Sequence, residues 1–305
     1  MQSIKLKEIL IEISQNCNLS CIMCGFGKEN NNSKKFMSFD NFVKIFDKVK
    51  DNTQSVRLNG RGESTIHVDF IPIFDYVFNA KIPIQLFSNL SFNNENIIEC
   101  FLKANPQLFI SIDSPYKDKL ENIRRGAKFN RITANLEKLK SISKRPYIVF
   151  TIQESNWNDI ENIADFALTY QCNIIYNVVR RDSYMNEFRQ IILDNRVFIK
   201  SSFDNVKNKF IGNLNVLIPN QISGINFYNY DLSCGTKAQC PNIQNELCIQ
   251  YNGIVTPCNM FNPYELGNIL NQTLDEILYG EKMEKFKQRY KKMEYCKNCA
   301  CLKEE

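Results

Sequence analysis

The chain has 305 residues, 44% of them hydrophobic, which is enough to bury one large domain and a smaller one. Its net charge of +5 comes from scattered lysines, so there is no basic stripe to suit a nucleic acid, and no apolar run is long enough to cross a bilayer. Residues 1–16 lack the apolar core and small-residue cleavage site of a signal peptide, so the expected location is cytoplasmic, where twelve cysteines are better explained as metal or cluster ligands than as disulfides.

From Glu8 onward short apolar runs alternate with helical patterns, the sequence form of repeated βα units around a parallel sheet. Six strands are predicted, at Ile9–Ser14, Ser55–Leu58, Ile84–Ser88, Leu108–Ile112, Tyr147–Ile152 and Asn173–Val179. The first helix carries Phe42, Ile45, Phe46 and Val49 at helical spacing, with Ser38 as its N-cap, and the fifth carries Ile160, Ile163, Ala164 and Ala167. Cys100 and Cys172 stand alone in apolar surroundings and read as small buried hydrophobes.

Polar groups follow the strands, where parallel α/β folds place their sites. After the first comes Cys17-Asn-Leu-Ser-Cys21-Ile-Met-Cys24, three thiols spaced C-x3-C-x2-C. A structural zinc site takes four ligands, whereas a cubane iron–sulfur cluster held by three cysteines leaves one iron open to a substrate. A zinc knuckle or a redox-sensing cluster is the alternative. After the second strand comes Asn59-Gly60-Arg61-Gly62-Glu63-Ser64, and after the third Ser88-Asn89. The fourth ends in Ser111-Ile-Asp113 and is followed by Arg124, which is equally suited to a solvated helix end. The sixth runs into Arg180-Arg181-Asp182, a pair fitted to a polar or anionic substrate or to a surface salt bridge with Asp182. His67 reads as structural.

The βα rhythm lapses after Asp182, with a helix predicted near Asn186–Phe210 and a strand near Leu214–Ile218, before the turn-like aromatic stretch Ile222–Tyr230. Cysteines return as Cys234, Cys240, Cys248 and Cys258, the last just beyond a hairpin signal at Asn252-Gly253, and then as Cys296-Lys-Asn-Cys299 and Cys301. Lys282–Lys292 reads as a solvated helix face.

The C-x3-C-x2-C motif behind a hydrophobic strand resembles the signature of the radical S-adenosylmethionine (SAM) superfamily, and the Gly60–Ser64 segment resembles that family's GGEP motif with Ser64 in the proline position. The Gly253-to-Cys258 spacing and the Cys296/Cys299 pair resemble the SPASM/twitch extension. The resemblance implies an α/β fold, an open (β/α)6 partial TIM barrel with a C-terminal twitch/SPASM-like auxiliary cluster domain. Its expected divisions are a barrel over 1–182, a connector or substrate cap over 183–233 and an auxiliary domain over 234–305.

The implied cofactors are SAM, a SAM-binding [4Fe-4S] cluster on Cys17, Cys21 and Cys24, and one auxiliary [4Fe-4S] cluster on Cys240, Cys258, Cys296 and Cys299, with a zinc ribbon as the alternative for the last four. Gly60, Gly62, Glu63, Ser88, Asn89, Ser111, Asp113 and Arg124 are the implied SAM contacts, and Arg180 and Arg181 the catalytic candidates at the substrate oxygen.

The resemblance implies an enzyme that forms a 5′-deoxyadenosyl radical, with an external one-electron donor such as flavodoxin or ferredoxin and neither nucleic acid nor membrane as partner. Three functions stay open. One is dehydrogenation of a small hydroxylated or carbohydrate-like substrate, as in the butirosin-type aminocyclitol dehydrogenases, with the auxiliary cluster as electron acceptor. A second is maturation of a ribosomal peptide by thioether formation, carbon–carbon crosslinking or epimerisation. Only sixteen residues precede Cys17, fewer than the peptide-recognition module many maturases carry, which tilts the expectation to the small molecule. The third is a non-catalytic iron–sulfur or zinc protein.

Overall fold

The structure, a computed structural model, describes residues 5–25, 35–178, 194–218, 221–222, 225–226, 240, 242–243, 245–258, 263–293 and 296. It forms two compact units, one of Met1–Asn18, Phe26–Leu86 and Gly235–Glu305 and the other of Leu19–Gly25 and Phe87–Cys234.

In the first unit, β1 (Glu8–Ile11) lies parallel to β2 (Val56–Arg57), and β2 lies parallel to β3 (Ile84–Ser88) through Val56↔Ile84. The helices α1 (Phe39–Val49) and α2 (Phe70–Asn79) make the crossovers. Helix α1 buries Phe42, Ile45, Phe46 and Val49, the face its periodicity predicts, each side chain worth roughly 1.5–3 kcal/mol relative to exposure. The Ser38 hydroxyl caps it by accepting the Asn41 N–H.

The C-terminal segment of this unit does not start a separate sheet. Its strand β10 (Glu246–Ile249) joins β1 in parallel, Glu8↔Glu246 through Ile11↔Ile249, and continues antiparallel into β11 (Ile254–Thr256) and β12 (Gly267–Asn268). The predicted turn between β10 and β11 is present, with Gly253 at φ +83°, where a side chain would be strained. Beyond it stand α8 (Leu274–Leu278), opened by a Thr273/Glu276 capping box, and α9 (Glu281–Arg289), which buries Met283 and Phe286 and turns its lysines outward. The Lys48 ammonium of α1 donates to the carbonyls of Ile269, Leu270 and Gln272, fastening the loop before α8.

The second unit repeats the βα pattern. Strands β4 (Gln107–Ser111), β5 (Tyr147–Ile152), β6 (Asn173–Val178) and β7 (Val216–Leu217) run parallel in that order. Its helices are α3 (Glu95–Ala104), α4 (Lys117–Ile123), α5 (Phe129–Leu139), α6 (Ile160–Thr169) and α7 (Arg196–Lys209). The buried face of α6 is Ile160, Ile163, Ala164 and Ala167, as its spacing predicts. The stretch predicted to be turn-like contains a two-stranded ladder of β8 (Gln221–Ile222) and β9 (Ile225–Asn226). Together the parallel strands and alternating helices make a mixed α/β fold of the partial TIM barrel kind.

Two faces of this sheet can be told apart. Phe150 packs on Tyr176, whose ring meets Phe203 of α7 and whose hydroxyl donates to the Ile160 carbonyl of α6, so even-numbered residues of β5 and β6 face the helices. The opposite face carries the ring stack Phe87–Phe109–Tyr147, with centroids 4.4 and 5.7 Å apart. Asn135 of α5, buried, donates from Nδ2 to the carbonyls of Leu90 and Phe92 at 3.0 Å each, and so shapes the turn after β3, where Leu90 sits at φ +54°.

Replacing Asn135 by Leu strips two buried carbonyls of their donor and is expected to cost about 1–3 kcal/mol, read as a lowered urea midpoint; an unchanged midpoint would show that water replaces the amide. His67, the single histidine, accepts the Asp69 N–H at Nδ1 and faces the Met37 carbonyl with Nε2 at 2.8 Å, a neutral ring whose pKa burial lowers. A depressed folded value means stability present above the unfolded pKa of about 6.5 and lost as pH falls. The Tm of the wild type is therefore expected to fall more steeply between pH 7.5 and 5.5 than that of His67→Gln, and equal slopes would refute the assignment.

Candidate active site

In the second unit the cysteine loop docks on the turn after α4: Ser20 N–H donates to the Arg125 carbonyl at 2.8 Å and Ile22 N–H to the Ile123 carbonyl at 2.9 Å. Arg124 lies between these two bonds. Its side chain is 9% exposed, with Nη1 3.9 Å from the Cys21 sulfur and Nε in an ion pair at 2.7 Å with Asp113. Burial pushes the Cys21 thiol above its ordinary value, and the Arg124 guanidinium offsets part of that rise. Cys24 closes a turn onto Cys21, its N–H donating to the Cys21 carbonyl at 3.1 Å.

Asp113 is fully buried. It takes the Thr151 N–H on Oδ1 at 2.8 Å as well as Arg124 on Oδ2. Burial raises its pKa against the pull of Arg124 and of the Thr151 N–H. The buried Asn156 amide bridges the same two strand ends, donating to the carbonyls of Asp113 and Thr151 and accepting the Gln153 N–H. Asp113, Arg124 and Cys21 thus form one chain of contacts. Asn156 and Thr151, which sequence reasoning missed, hold its far end. Their signal was the polar run that follows the apolar β5.

Ser88 accepts the Leu90 N–H at 3.0 Å and Asn89 the Ser91 N–H at 2.8 Å, so both side chains shape the turn they start. Ser111 is half-buried on the face that carries Phe109. Gln153 lies one residue past β5, whose Tyr147, Val149 and Thr151 lie on that face. It is 1% exposed, and its amide nitrogen meets no acceptor.

In the first unit, residues 13–16 are braced by Met37 N–H to the Ile13 carbonyl and Gln15 N–H to the Lys35 carbonyl, and lead straight into Cys17. The Gly60–Glu63 segment lies on this stretch. Glu63 N–H donates to the Asn16 carbonyl at 2.8 Å, and a Cβ on Gly62 would run into that same carbonyl, so the close approach requires glycine. The Glu63 carboxylate, 4% exposed, accepts from the Thr65 hydroxyl at 2.7 Å.

Cys258 stands two residues past the end of β11. Cys240 N–H donates to the Tyr290 hydroxyl at 3.4 Å, and Cys296 N–H to the Met293 carbonyl at 2.9 Å, so the turn after α9 approaches Cys240. Cys248 is fully buried and its thiol is pushed well up by burial, which fits a core residue. Cys172 is buried as predicted, its thiol raised to about 12, whereas Cys100 is half-buried. Arg180, Arg181, Cys234, Cys299 and Cys301 lie outside the described residues.

Among the described residues no three Cys, His, Asp or Glu side chains converge on one point as a single-ion site would require. A four-iron cube holds its thiolates further apart than one ion does, and the donor set suits it: half-exposed Cys17 and Cys24, with Cys21 beside a guanidinium. The residues present fit the cluster.

Comparison with known proteins agrees with this geometry. The radical SAM superfamily model matches residues 11–167, and the model for the SPASM iron–sulfur cluster-binding domain matches residues 240–300. GTP 3′,8-cyclase of Clostridium botulinum is 27% identical over 172 residues, 53% of this chain and 52% of that protein, so the match spans about half the length of the curated relative. Streptococcus suis SuiB bound to S-adenosylmethionine has the same fold, with a TM-score of 0.75 at 17% identity over 98% of this chain and 72% of that one. BtrN in complex with AdoMet and 2-DOIA gives 0.55 at 13% identity over 97% and 94%.

In metal-free protein, iodoacetamide is expected to label Cys17, Cys24, Cys240, Cys258 and Cys296 well before Cys172 and Cys248, as mapped by mass spectrometry. Early labelling of Cys248 would contradict its place in the core.

Proposed function

Because the chain belongs to the radical SAM superfamily, its model matching residues 11–167, we propose that this is an oxidoreductase that dehydrogenates a small hydroxylated or carbohydrate-like molecule. When bound, SAM and its [4Fe-4S] cluster supply a 5′-deoxyadenosyl radical for hydrogen abstraction, and one auxiliary [4Fe-4S] cluster accepts the second electron. The chain's own task is to hold and orient these groups. Cys17, Cys21 and Cys24 carry the first cluster, and Arg124, fixed by Asp113, sets a positive charge beside Cys21. The Gly60–Glu63 segment, with Ser88, Asn89 and Ser111, faces SAM, and Cys240, Cys258, Cys296 and Cys299 carry the second cluster. Arg180 and Arg181, next in sequence after β6, hold the substrate oxygen as its proton leaves. A flavodoxin- or ferredoxin-like donor delivers the first electron.

The observation that carries the substrate class is the buried Gln153 amide without an acceptor, one residue past β5, whose sheet bears Ser111, Thr151 and Asn177 on one face. Leaving such a donor unmet costs about 1–3 kcal/mol, recovered when a ligand hydroxyl or carbonyl accepts it. Neutral donors and acceptors on a face with an aromatic stack suit a hydroxyl-rich molecule. The fold likeness to BtrN in complex with AdoMet and 2-DOIA, over 94% of that chain, supports the reading of a small-molecule substrate. A second reading, a ribosomal-peptide maturase, draws on the likeness to SuiB bound to precursor peptide SuiA, with a TM-score of 0.75.

Anaerobically reconstituted protein is expected to hold about eight irons, and about half as many after Cys17, Cys21 and Cys24 are changed to Ala. With dithionite and SAM it should release 5′-deoxyadenosine, and an aminocyclitol panel should raise that yield and give an oxidised product. Changing Cys296 and Cys299 to Ala should abolish the product while SAM cleavage persists. Stimulation by a peptide and not by any polyol would overturn the small-molecule reading, and stoichiometric zinc without labile sulfide would overturn both.

A further inference from the structure

Glu12 is a buried carboxylate that the reaction above leaves without a part. It follows β1, is 0% exposed and gathers four donors. Oε1 accepts the Arg61 backbone N–H and Nε–H at 2.9 Å each, and Oε2 accepts Arg61 Nη2 and Gln15 Nε2 at 2.8 Å each. Arg61 also gives Nη2 to the Gln250 side-chain oxygen at 2.9 Å, and Gln250 is the residue that follows β10. The flanking glycines complete the mould: a Cβ on Gly60 would run into the Glu12 side chain, as one on Gly62 would into the Asn16 carbonyl.

We propose that Glu12, acting through Arg61, is the positioning residue that sets the Gly60–Glu63 segment for SAM, and that Gln250 makes this setting depend on the C-terminal strand. The proposal rests on the SAM-binding reading of that segment. A carboxylate that takes both side-chain arms and the backbone N–H of one arginine fixes that residue's main chain as well as its fork, and so fixes its neighbours on either side. A pair serving only to hold strands together would not need the backbone bond within the loop. Gln250 lies at the start of the turn that leads to Cys258, so what happens in the cysteine-bearing hairpin reaches Arg61 through one hydrogen bond.

The test uses reconstituted holoprotein and the variants Glu12→Gln, Arg61→Met, Arg61→Lys and Gln250→Leu. Iron and sulfide content, Tm, the EPR spectrum of the reduced cluster with and without SAM, and the SAM Kd from titrating that spectral change are measured on each. The expected result is wild-type iron content with a SAM Kd about 10-fold weaker in the Glu12 and Arg61 variants and about 3-fold weaker in Gln250→Leu. Arg61→Lys should not rescue, because it keeps the charge and loses the fork. The Glu12→Gln/Arg61→Met double variant should be no weaker than either single one. Wild-type Kd and SAM-shifted spectra in the variants, with only Tm lowered, would overturn the proposal and leave the SAM reading standing. Wild-type protein whose spectrum ignores SAM would overturn both. Should Glu12→Gln fail to fold, Arg61→Lys and Gln250→Leu, which leave the buried carboxylate a cation, decide the matter by the same Kd.

Discussion

A carboxylate taken wholly out of water costs several kcal/mol unless its oxygens are met by well-placed donors, and Glu12, just past β1, meets that condition through Gln15 and Arg61, with Arg61 held in turn by Gln250. Everything around it inherits the requirement. Arg61 must reach back across β2, Gly60 must carry no side chain, and Gln250 must arrive beside β1, so the loop on one side and the C-terminal strand on the other are fixed by one charge.

The second unit solves a similar problem with the opposite emphasis. Asp113 is as buried as Glu12, yet it serves a cation that looks outward to a sulfur, so burial of one acid sets the electrostatic surroundings of Cys21. Asp113, Thr151 and Asn156 brace one another at the strand ends, while the buried Gln153 amide nitrogen meets no acceptor.

Much of this was legible in the sequence where the signal is local. The buried faces of α1 and α6 agree residue for residue with the apolar spacing, and β3 and β5 keep their predicted limits, because periodicity within ten residues decides both. The Ser38 cap, the turn at Gly253 and the structural role of His67 were likewise short-range matters. What could not be read was pairing over distance. Nothing near Glu246 announces a parallel partner at Glu8, nothing near Glu12 announces Gln250, and nothing near Asp113 announces its ion pair with Arg124. Such residues are chosen by three-dimensional neighbours, and a single sequence carries no trace of that choice.

The parallel ladder between β1 and β10 also bears on how the chain is made. Roughly 240 residues separate Glu8 from Glu246, and at about 5–20 residues per second a ribosome needs roughly 12 to 50 s to supply the second strand. Until then the outer edge of β1, with its run Glu-Ile-Leu-Ile, presents unpaired backbone groups, and the charge of Glu12 lacks one of the elements that enclose it. Over that interval the nascent protein carries an open sheet edge, and the β1 side of its first unit is completed only when β10 emerges. Loss of β10 would therefore be felt at β1, far from it in sequence and its immediate neighbour in space.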